Sequence, residues 1–389
     1  MPEGNGDDRE YNLGYDDLFS SDRVNRIHRL ATNEGTNQAG DIMDIAEAAV
    51  VGAGPIGLEM GAALKRAGVD YIHLEAKQIG NTISWYPHQV RFFSSPERIA
   101  ICGVPLHTVD QAKASREEYL AYLRGIVEQF DLEVRTYERV TKITKGDNDF
   151  TLVTEKQGGG KQEYQVRNVI LAIGDMAWPR MLHIPGEDSN HVDHYFDEPH
   201  KYFRQEILIV GGKNSAVEAA IRCYRLGAKV SLSYRGEKFN PESIKYWLLP
   251  EIEMLVKTGK IKFYPNTEPV EIRRQDVSLL DVKRKEIITV GADFVLLMTG
   301  YVADMKLFET AGAELEPESR APVVNMETME STVPGLFVAG TVAAGTQRHY
   351  RLFIENCHAH VAKIVKKLTG KTIDGHAINP LALEEMPES

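Results

Sequence analysis

This sequence has few cysteines, no excess of positive charge and no long apolar run. Each of these absences argues against a class of protein. Only three cysteines occur in 389 residues, and no two of them form a C-x-x-C pair. This predicts a chain of the reducing cytoplasm without structural disulfides. The net charge of −11 argues against nucleic acid and against anionic membrane surfaces as partners. No apolar run approaches the roughly 18 residues of a membrane span, and the first 45 residues lack the apolar core of a signal peptide.

The sequence does contain a glycine turn between a predicted strand and a predicted helix. Gly52 permits the tight turn, Gly54 lets the backbone approach a diphosphate, and Gly57 lets the helix pack on the strand. The free N–H groups at the helix start favour an anion, and Gly68 is placed to end the helix. Glu75 ends the next strand, where an acid accepts hydrogen bonds from ribose hydroxyls. The stretch therefore predicts a dinucleotide-binding unit.

The same pattern returns 159 residues later in the chain. Gly211 takes the place of Gly52, and Ala216 takes the place of Gly57, a replacement that the pattern tolerates. Two such units in one chain predict two bound dinucleotides.

The second unit differs from the first where it would meet phosphate and ribose. Lys213 replaces the second glycine, and Tyr234 replaces the acid at the end of the second strand. Ser233 and Arg235 flank that tyrosine, and Lys238 follows. A guanidinium suits a 2′-phosphate, whereas the missing acid removes the partner of a free 2′-hydroxyl. The second unit therefore predicts NADPH in preference to NADH, unless Arg235 only begins a solvated loop.

The order of the predicted elements indicates an α/β fold. Turns at Asp147–Asn148 and around Gly159 separate short strands that form a β-meander, and apolar strands end at Gly174 and Gly340. We predict two Rossmann-like dinucleotide-binding domains, with the NADPH domain inserted in a discontinuous FAD domain. The predicted limits are 1–45 for an N-terminal extension, 46–178 and 291–389 for the FAD domain, and 179–290 for the NADPH domain.

Several segments together resemble the thioredoxin-reductase-like flavoproteins, and most closely the YpdA family of bacillithiol disulfide reductases. The matching segments are residues 51–55, 86–87, 92–99, 184–188, 210–218, 233–236 and 353–356. The resemblance covers roughly residues 46–370 of this chain. It implies bound FAD in the first unit, NADPH as hydride donor in the second, a homo-oligomer, and a reaction that needs no C-x-x-C pair.

The two patterns and the resemblance together predict the residues at the cofactors, whereas no metal site is expected. Those predicted for FAD are Gly52, Gly54, Pro55, Ile56, Gly57, Glu75, Gly174, Gly340, Thr341, Leu352 and Phe353. Those predicted for NADPH are Gly211, Gly212, Lys213, Asn214, Ser215, Ala216, Ser233, Arg235 and Lys238. Catalytic residues are not identified, and those expected near the flavin are Trp85, Tyr86, Arg351 and Cys357.

The helix that closes the fold is predicted to begin near Tyr350. In the resembling flavoproteins, the backbone N–H groups of the first turn face the flavin, which here corresponds to residues 351–353. Arg348 and His349 lie beside that start and are interpreted, with Arg351, as anion or substrate contacts. Trp85 and Tyr86 either stack near the flavin or pack their own loop.

The chain differs at two positions from the flavoproteins that it resembles. Ile56 stands where members of the family carry a cysteine, and Thr341 stands where thioredoxin reductases carry aspartate. The local sequences of Cys102, Cys223 and Cys357 indicate buried, unreactive thiols. Thiol exchange beside the flavin is therefore in doubt.

The predicted function is reduction of a small disulfide, or of a related two-electron acceptor, by an NADPH-dependent FAD enzyme. One alternative is a flavin monooxygenase, although the signature F-x-G-x-x-x-H is absent between the two units. The other is a non-enzymatic flavoprotein that senses the NADPH level. Turnover of NADPH with different acceptors separates these three classes.

Overall fold

The computed structural model describes residues 45–347 and 351–372. The predicted N-terminal extension, Arg348 and His349 lie outside these ranges. Within them the strands are, in chain order, β1 (Ala46–Val51), β2 (Tyr71–Leu74), β3 (Val134–Arg135), β4 (Glu138–Lys145), β5 (Phe150–Lys156), β6 (Lys161–Leu171), β7 (Trp178–Pro179), β8 (Val192–Asp193), β9 (Glu206–Val210), β10 (Lys229–Tyr234), β11 (Lys262–Pro265), β12 (Thr267–Ile272), β13 (Asp276–Asp281), β14 (Glu286–Gly291), β15 (Phe294–Leu297), β16 (Tyr301–Val302) and β17 (Leu336–Val338).

Helices cover the faces of these strands. The α-helices of the described ranges are α1 (Pro55–Ala67), α2 (Asn81–Ser84), α3 (Pro96–Ile99), α4 (Arg116–Gln129), α5 (Asn214–Arg225), α6 (Leu249–Lys257), α7 (Lys306–Ala311) and α8 (Ile354–Thr369). Short 3-10 helices occupy Pro199–Tyr202, Pro241–Ser243 and Thr341–Ala344. None of the helices in this part of the chain is both long enough and apolar enough to cross a membrane.

The first sheet combines a parallel core with the predicted meander. Its strand order is β3-β2-β1-β6-β5-β4, and β17 also pairs with β6. Strands β3, β2, β1, β6 and β17 pair in parallel, whereas β4, β5 and β6 form antiparallel pairs. The long strand β6 serves both parts, because its first half pairs with β5 and its second half with β1. The predicted α/β class and the β-meander are confirmed.

The second sheet is entirely parallel, with the order β11-β10-β9-β15-β8. A separate antiparallel sheet of β12, β13 and β14 adjoins it in sequence. Strand β15 pairs with β9, although the predicted limits place residues after 291 with the first domain. The sheet of the second unit thus extends at least to Leu297. We propose that the FAD domain resumes only after that strand; the other limits stay predictions.

The two glycine turns are structural copies of each other. The N–H of Gly52 donates to the last carbonyl of β2 at 2.8 Å, and that of Gly211 donates to β10 at 2.9 Å. Both glycines have positive φ, +104° and +146°. An added Cβ would lie 2.4 Å from the carbonyl oxygen of Ala172 in the first turn and 2.6 Å from that of Met298 in the second. Only glycine therefore fits at either position.

A buried ion pair joins α1 to α8. Nδ1 of His358 lies 2.7 Å from a carboxylate oxygen of the fully buried Glu59, and Nε2 lies 3.0 Å from the carbonyl oxygen of Arg98. Because both partners accept hydrogen bonds, both ring nitrogens can donate only in the protonated imidazole. Burial lowers the pKa of His358, but Glu59 and the Arg98 carbonyl outweigh it and raise the pKa above its ordinary value.

Replacing His358 with glutamine is expected to destabilise the protein most at low pH. A histidine whose pKa is raised on folding stabilises fully below its unfolded pKa of about 6.5, and this contribution is lost as pH rises through the folded pKa. The loss in unfolding free energy should be about 1.5–3 kcal/mol near pH 6 and smaller near pH 9. Urea unfolding of parent and variant across pH measures it, with His107→Gln as an exposed control. A difference independent of pH would show that His358 is uncharged.

Candidate functional site

A cavity of about 2590 Å³ is lined by both glycine turns and by the start of α8. Ordinary small-molecule pockets have roughly 300–1,000 Å³, so this space is large enough for two extended ligands. Its walls come from the carboxyl ends of β1, β6, β9 and β15, where parallel sheets bind their ligands. The cavity therefore connects the two predicted dinucleotide sites.

The first turn has the geometry that a diphosphate requires. Gly54 caps α1 with an ordinary φ of −73°, and an added Cβ would meet no atom within 4 Å because it would point into the cavity. Gly57, in contrast, supports packing, because an added Cβ would lie 2.0 Å from the carbonyl oxygen of Gly52. A side chain at Gly54 would thus fill ligand space without disturbing the fold.

Glu75 lines the same cavity at the end of β2. One carboxylate oxygen accepts the N–H of Ala53 at 2.7 Å, and the other accepts that of Lys77 at 2.8 Å. Burial raises the pKa of Glu75, although these N–H groups lower it. Each oxygen keeps a lone pair for a ribose hydroxyl. The donor set therefore fits the adenosine end of a dinucleotide with a free ribose.

Most residues predicted for FAD meet in this cavity. Those that line it are Gly52, Gly54, Pro55, Ile56, Glu75, Gly174, Gly340, Thr341, Leu352 and Phe353. Gly57 does not line it. Asp175 and Gln347, which the sequence reasoning missed, line it as well. Gln347 belongs to no recognisable sequence motif, and the side chain that it contacts across the fold, Asp175, lies 172 residues earlier in the chain.

The prediction for the start of the closing helix was wrong. Helix α8 begins at Ile354, and Phe353 before it is extended. The side-chain oxygen of Gln347 accepts the N–H groups of Arg351 and Leu352 at 2.8 and 3.0 Å, and that of Asn356 accepts the N–H of Phe353 at 2.8 Å. These side chains hold the segment out of the helix. They also occupy the N–H groups that the resemblance assigned to the flavin.

The second turn is surrounded by three cations. Lys213 caps α5. Its pKa is lowered first by burial and then by the nearby positive charges of Arg235 and Arg180. Arg180 follows β7, in a segment interpreted from sequence only as a connector. Its Nε is buried and has no hydrogen-bond partner among the described residues. All three side chains line the cavity, so the second turn is suited to an anionic ligand.

The other residues predicted for NADPH divide into two groups. Those that line the cavity are Gly211, Gly212, Asn214, Ser215, Ala216 and Ser233. Ser233 is fully buried, however, and its hydroxyl oxygen lies 2.8 Å from that of Thr267. Lys238 is exposed and does not line the cavity. Of the three cations predicted for NADPH, Lys213 and Arg235 therefore line the cavity, and Lys238 does not.

Trp85 and Tyr86 belong to an aromatic cluster in the cavity wall. The ring centroid of Trp85 lies 4.7 Å from that of Tyr195, 5.1 Å from that of Tyr301 and 5.9 Å from that of Tyr86. Tyr301 lies on β16, which pairs with β7 in a two-stranded ribbon. Trp85 therefore packs against residues of the second unit and of the ribbon while it borders the cavity.

The three cysteines are buried, as predicted, and none forms a disulfide. Burial raises the pKa of Cys223 and of Cys357 to about 12, and it also raises that of Cys102. Cys357 faces the core beside Val361 and does not line the cavity. Arg351 is exposed and does not line it either. Of the four residues expected near the flavin, only Trp85 and Tyr86 reach the cavity.

Two strand–glycine–helix units that open into one cavity define a protein that brings two dinucleotides together, which is the architecture of a nucleotide-dependent oxidoreductase. Comparison with known proteins specifies the family. Residues 49–340 match the family described as pyridine nucleotide-disulphide oxidoreductase, and the chain belongs to it.

Similar proteins are known by sequence and by structure. Bacilliredoxin reductase Bdr of Bacillus subtilis (strain 168) is 38% identical over 322 residues, which are 83% of this chain and 97% of that protein. The solved bacillithiol disulfide reductase Bdr (YpdA) from Bacillus cereus is 34% identical with a TM-score of 0.80, covering 84% of this chain and 99% of that one. The corresponding structure from Staphylococcus aureus is 33% identical with a TM-score of 0.78, with the same coverage.

The predicted resemblance is therefore confirmed, and so is the enzyme class. The chain is a flavoprotein oxidoreductase with FAD and NADPH as cofactors. When bound, FAD supplies a ring that takes a hydride equivalent from NADPH and passes two electrons to an acceptor. The thioredoxin reductase of T. acidophilum, at 17% identity and a TM-score of 0.65, shares the fold.

Proposed function

We propose that this protein uses NADPH to reduce the disulfide of a low-molecular-weight thiol. In the balanced reaction, NADPH, one proton and a disulfide RSSR give NADP⁺ and two thiols RSH. The S–S bond breaks, two S–H bonds form, and NADPH loses two electrons. The observation that carries the proposal is the cavity shared by both glycine turns, in a chain similar to reductases named for bacillithiol disulfide and bacilliredoxin.

The residues of the chain would bind, orient and shield the reactants. We propose that Gly54 and Glu75 hold the diphosphate and ribose of FAD, whereas Lys213, Arg235 and Arg180 hold the phosphates of NADPH. The aromatic cluster of Trp85, Tyr86, Tyr195 and Tyr301 would exclude water between the two sites. Positioning of this kind is the main contribution of a protein to cofactor chemistry.

The proposal includes a homo-oligomer in a reducing cytoplasm. The resemblance supports the oligomer. The three free cysteines and the missing C-x-x-C pair support the compartment. Light scattering at several protein concentrations measures the oligomeric state.

A variant in which Cys102, Cys223 and Cys357 are all replaced by alanine should still reduce its flavin with NADPH. The three thiols are buried, and their raised pKa values keep them protonated and unreactive at neutral pH. We expect the rate of flavin reduction to stay within about two-fold of the parent rate. Anaerobic rapid mixing with NADPH measures it.

The same variant also separates two routes for the electrons. Retained turnover of a disulfide means that electrons leave the flavin without a thiol of this chain. If disulfide turnover collapses while flavin reduction survives, one of the three thiols is a relay after all. Each single replacement then identifies which thiol it is.

The proposed function is tested by NADPH oxidation with a panel of acceptors under anaerobic conditions. The expected result is disulfide-dependent oxidation with two thiols formed per NADPH. Oxidation that requires oxygen and hydroxylates an organic substrate would instead support the monooxygenase alternative. Flavin reduction without turnover of any acceptor would support the sensor.

A further inference from the structure

One peptide bond of the first glycine turn is held from both sides by side chains of the same strand. Its carbonyl oxygen belongs to Gly52 and its N–H to Ala53, and these two groups point in opposite directions in a trans peptide. Nε2 of His73 lies 3.0 Å from the oxygen, and the N–H donates to a carboxylate oxygen of Glu75 at 2.7 Å. His73 and Glu75 are two residues apart at the end of β2, where alternation along the extended chain directs both side chains to one face. We call His73 and Glu75 the peptide clamp.

The contact with Gly52 determines which nitrogen of His73 carries the proton. The side chain is 1% exposed, and burial lowers its pKa to about 4, although the Gly52 carbonyl opposes this change. The imidazole is therefore neutral at neutral pH. Because a carbonyl oxygen only accepts, Nε2 carries the single proton and donates it to Gly52. Nδ1 stays buried without a hydrogen-bond partner in the described residues, a cost that an apolar side chain at this core position would not have.

Helix α1 leaves space for this imidazole. An added Cβ at Gly61 would lie 3.0 Å from Nδ1 of His73 and 3.2 Å from the hydroxyl oxygen of Tyr71, closer than ordinary van der Waals contact. Glycine is unfavourable in the interior of a helix, so its presence at this position needs a reason. Gly61 therefore keeps the space that His73 needs to reach the turn.

The second unit has different side chains at the corresponding positions. At the offset of 159 residues, Ala220 replaces Gly61, Leu232 replaces His73 and Tyr234 replaces Glu75. Leu232 has no group that could donate to a carbonyl oxygen. Tyr234 presents its ring to the turn, since an added Cβ at Gly212 would lie 2.2 Å from its Cδ2. The glycine that makes room and the histidine that uses this room are thus replaced together.

The two units also differ in how long they keep their ligand. FAD serves every cycle of the reaction, whereas NADPH must leave as NADP⁺ after each hydride transfer. A turn that is fixed before the diphosphate arrives loses little conformational freedom on binding, and affinity gained in this way appears mainly as slower release. The clamped turn therefore suits a cofactor that stays, and the turn without a clamp suits a nucleotide that exchanges.

We propose that His73 is a positioning residue for FAD, because its hydrogen bond fixes the Gly52–Ala53 peptide and thereby slows the release of the cofactor. The same peptide presents its N–H to Glu75, so His73 also steadies the carboxylate that binds the ribose. The inference rests on one part of the proposed function, the placement of FAD at the first turn. It does not depend on the identity of the acceptor.

Replacing His73 with leucine tests the proposal, since it removes the donor and introduces the residue of the second unit. FAD should leave the holoenzyme about ten-fold faster, the effect of losing one neutral hydrogen bond. The KM for NADPH should stay unchanged, because the second turn is untouched. The rise in flavin fluorescence after dilution of the holoenzyme measures the release rate. A release rate equal to that of the parent would overturn the proposal.

Two further variants separate the hydrogen bond from simple support of the core. His73→Gln keeps an N–H donor and should restore most of the retention. Leu152→Ala is the control, because Leu152 is fully buried in β5 and does not line the cavity. It should lower the free energy of unfolding and leave the release rate near that of the parent. The proposal is wrong if Leu152→Ala or His73→Gln releases FAD as fast as His73→Leu.

A double variant keeps the test available if His73→Leu does not fold. Gly61→Ala together with His73→Leu reproduces a pair that packs in the core of the second unit, and it should release FAD at the same increased rate. None of these measurements involves an acceptor. Failure of disulfide turnover would therefore contradict the proposed function alone, whereas release at the parent rate in both leucine variants would contradict the inference alone.

Discussion

Replacing Gly54 with valine is expected to yield a folded protein that no longer retains FAD. The backbone at Gly54 has an ordinary φ, and an added Cβ meets no atom of the chain, so the fold has no reason to fail. The added side chain occupies the space in which the diphosphate approaches the turn. We expect the affinity for FAD to fall at least about 100-fold, which corresponds to roughly 2.7 kcal/mol. Titration of the apoprotein with FAD, followed by flavin fluorescence, measures this affinity.

Two glycines provide controls for that experiment. Gly125 lies within α4, and an added Cβ there also meets no atom within 4 Å, so Gly125→Ala should retain FAD. Gly57→Val should instead lose the fold, because its Cβ would lie 2.0 Å from the carbonyl oxygen of Gly52. If the Gly54→Val protein bound FAD with the affinity of the parent, the flavin site could not lie at this turn.

Replacing Arg235 with alanine is expected to raise the KM for NADPH about ten-fold and to leave that for NADH nearly unchanged. Arg235 lines the cavity one residue after Tyr234, which replaces the acid of the first unit, and its charge joins those of Lys213 and Arg180. A 2′-phosphate would neutralise this group of cations, whereas a 2′-hydroxyl would not. Steady-state kinetics with both nucleotides measures the change in preference.

Lys238→Ala is the matched control for Arg235, because Lys238 is a nearby cation that does not line the cavity. It should leave both KM values near those of the parent. Equal losses with NADPH and NADH in Arg235→Ala would mean that this arginine supports the structure of the turn. Selection for NADPH would then rest on Lys213 and Arg180.

The parts of the fold that could be predicted from sequence are those governed by local rules. The positive φ of Gly52 and Gly211 and the close carbonyl behind each follow from the strand–turn–helix pattern itself. The capping box of Ser115 and Glu118 at the start of α4 is another such local feature, with the N–H of Glu118 donating to the serine hydroxyl at 3.2 Å. Such features depend on neighbours within a few residues, and a sequence displays these directly.

The parts that could not be predicted depend on contacts between distant segments. The side chain of Gln347, which accepts the N–H of Leu352 before α8, is itself held by a hydrogen bond that it donates to Asp175, 172 residues earlier in the chain. The orientation of Ser233 is set by Thr267 on β12. Arg180 reaches the second turn from the ribbon, and strand β15 joins the second sheet beside β9. No periodicity or spacing encodes these partners, because they meet only once both sheets have formed.

The burial of the cysteines could be predicted from sequence, whereas the direction of the Cys357 side chain could not. Apolar neighbours in sequence predicted it for Cys102, Cys223 and Cys357, and the structure confirms it. The sequence nevertheless placed Cys357 near the flavin, since it lies on the helix that approaches that site. Its direction toward the core depends on which face of α8 packs on α1, and only the assembled fold determines that face.

The most direct test of the central claim is a single turnover carried out in two steps without oxygen. One equivalent of NADPH should bleach the flavin absorbance. One equivalent of a low-molecular-weight disulfide should then restore the absorbance and yield two thiols. Flavin that is reduced by NADPH, stays reduced with every disulfide and is reoxidised only by oxygen or another acceptor would contradict the account.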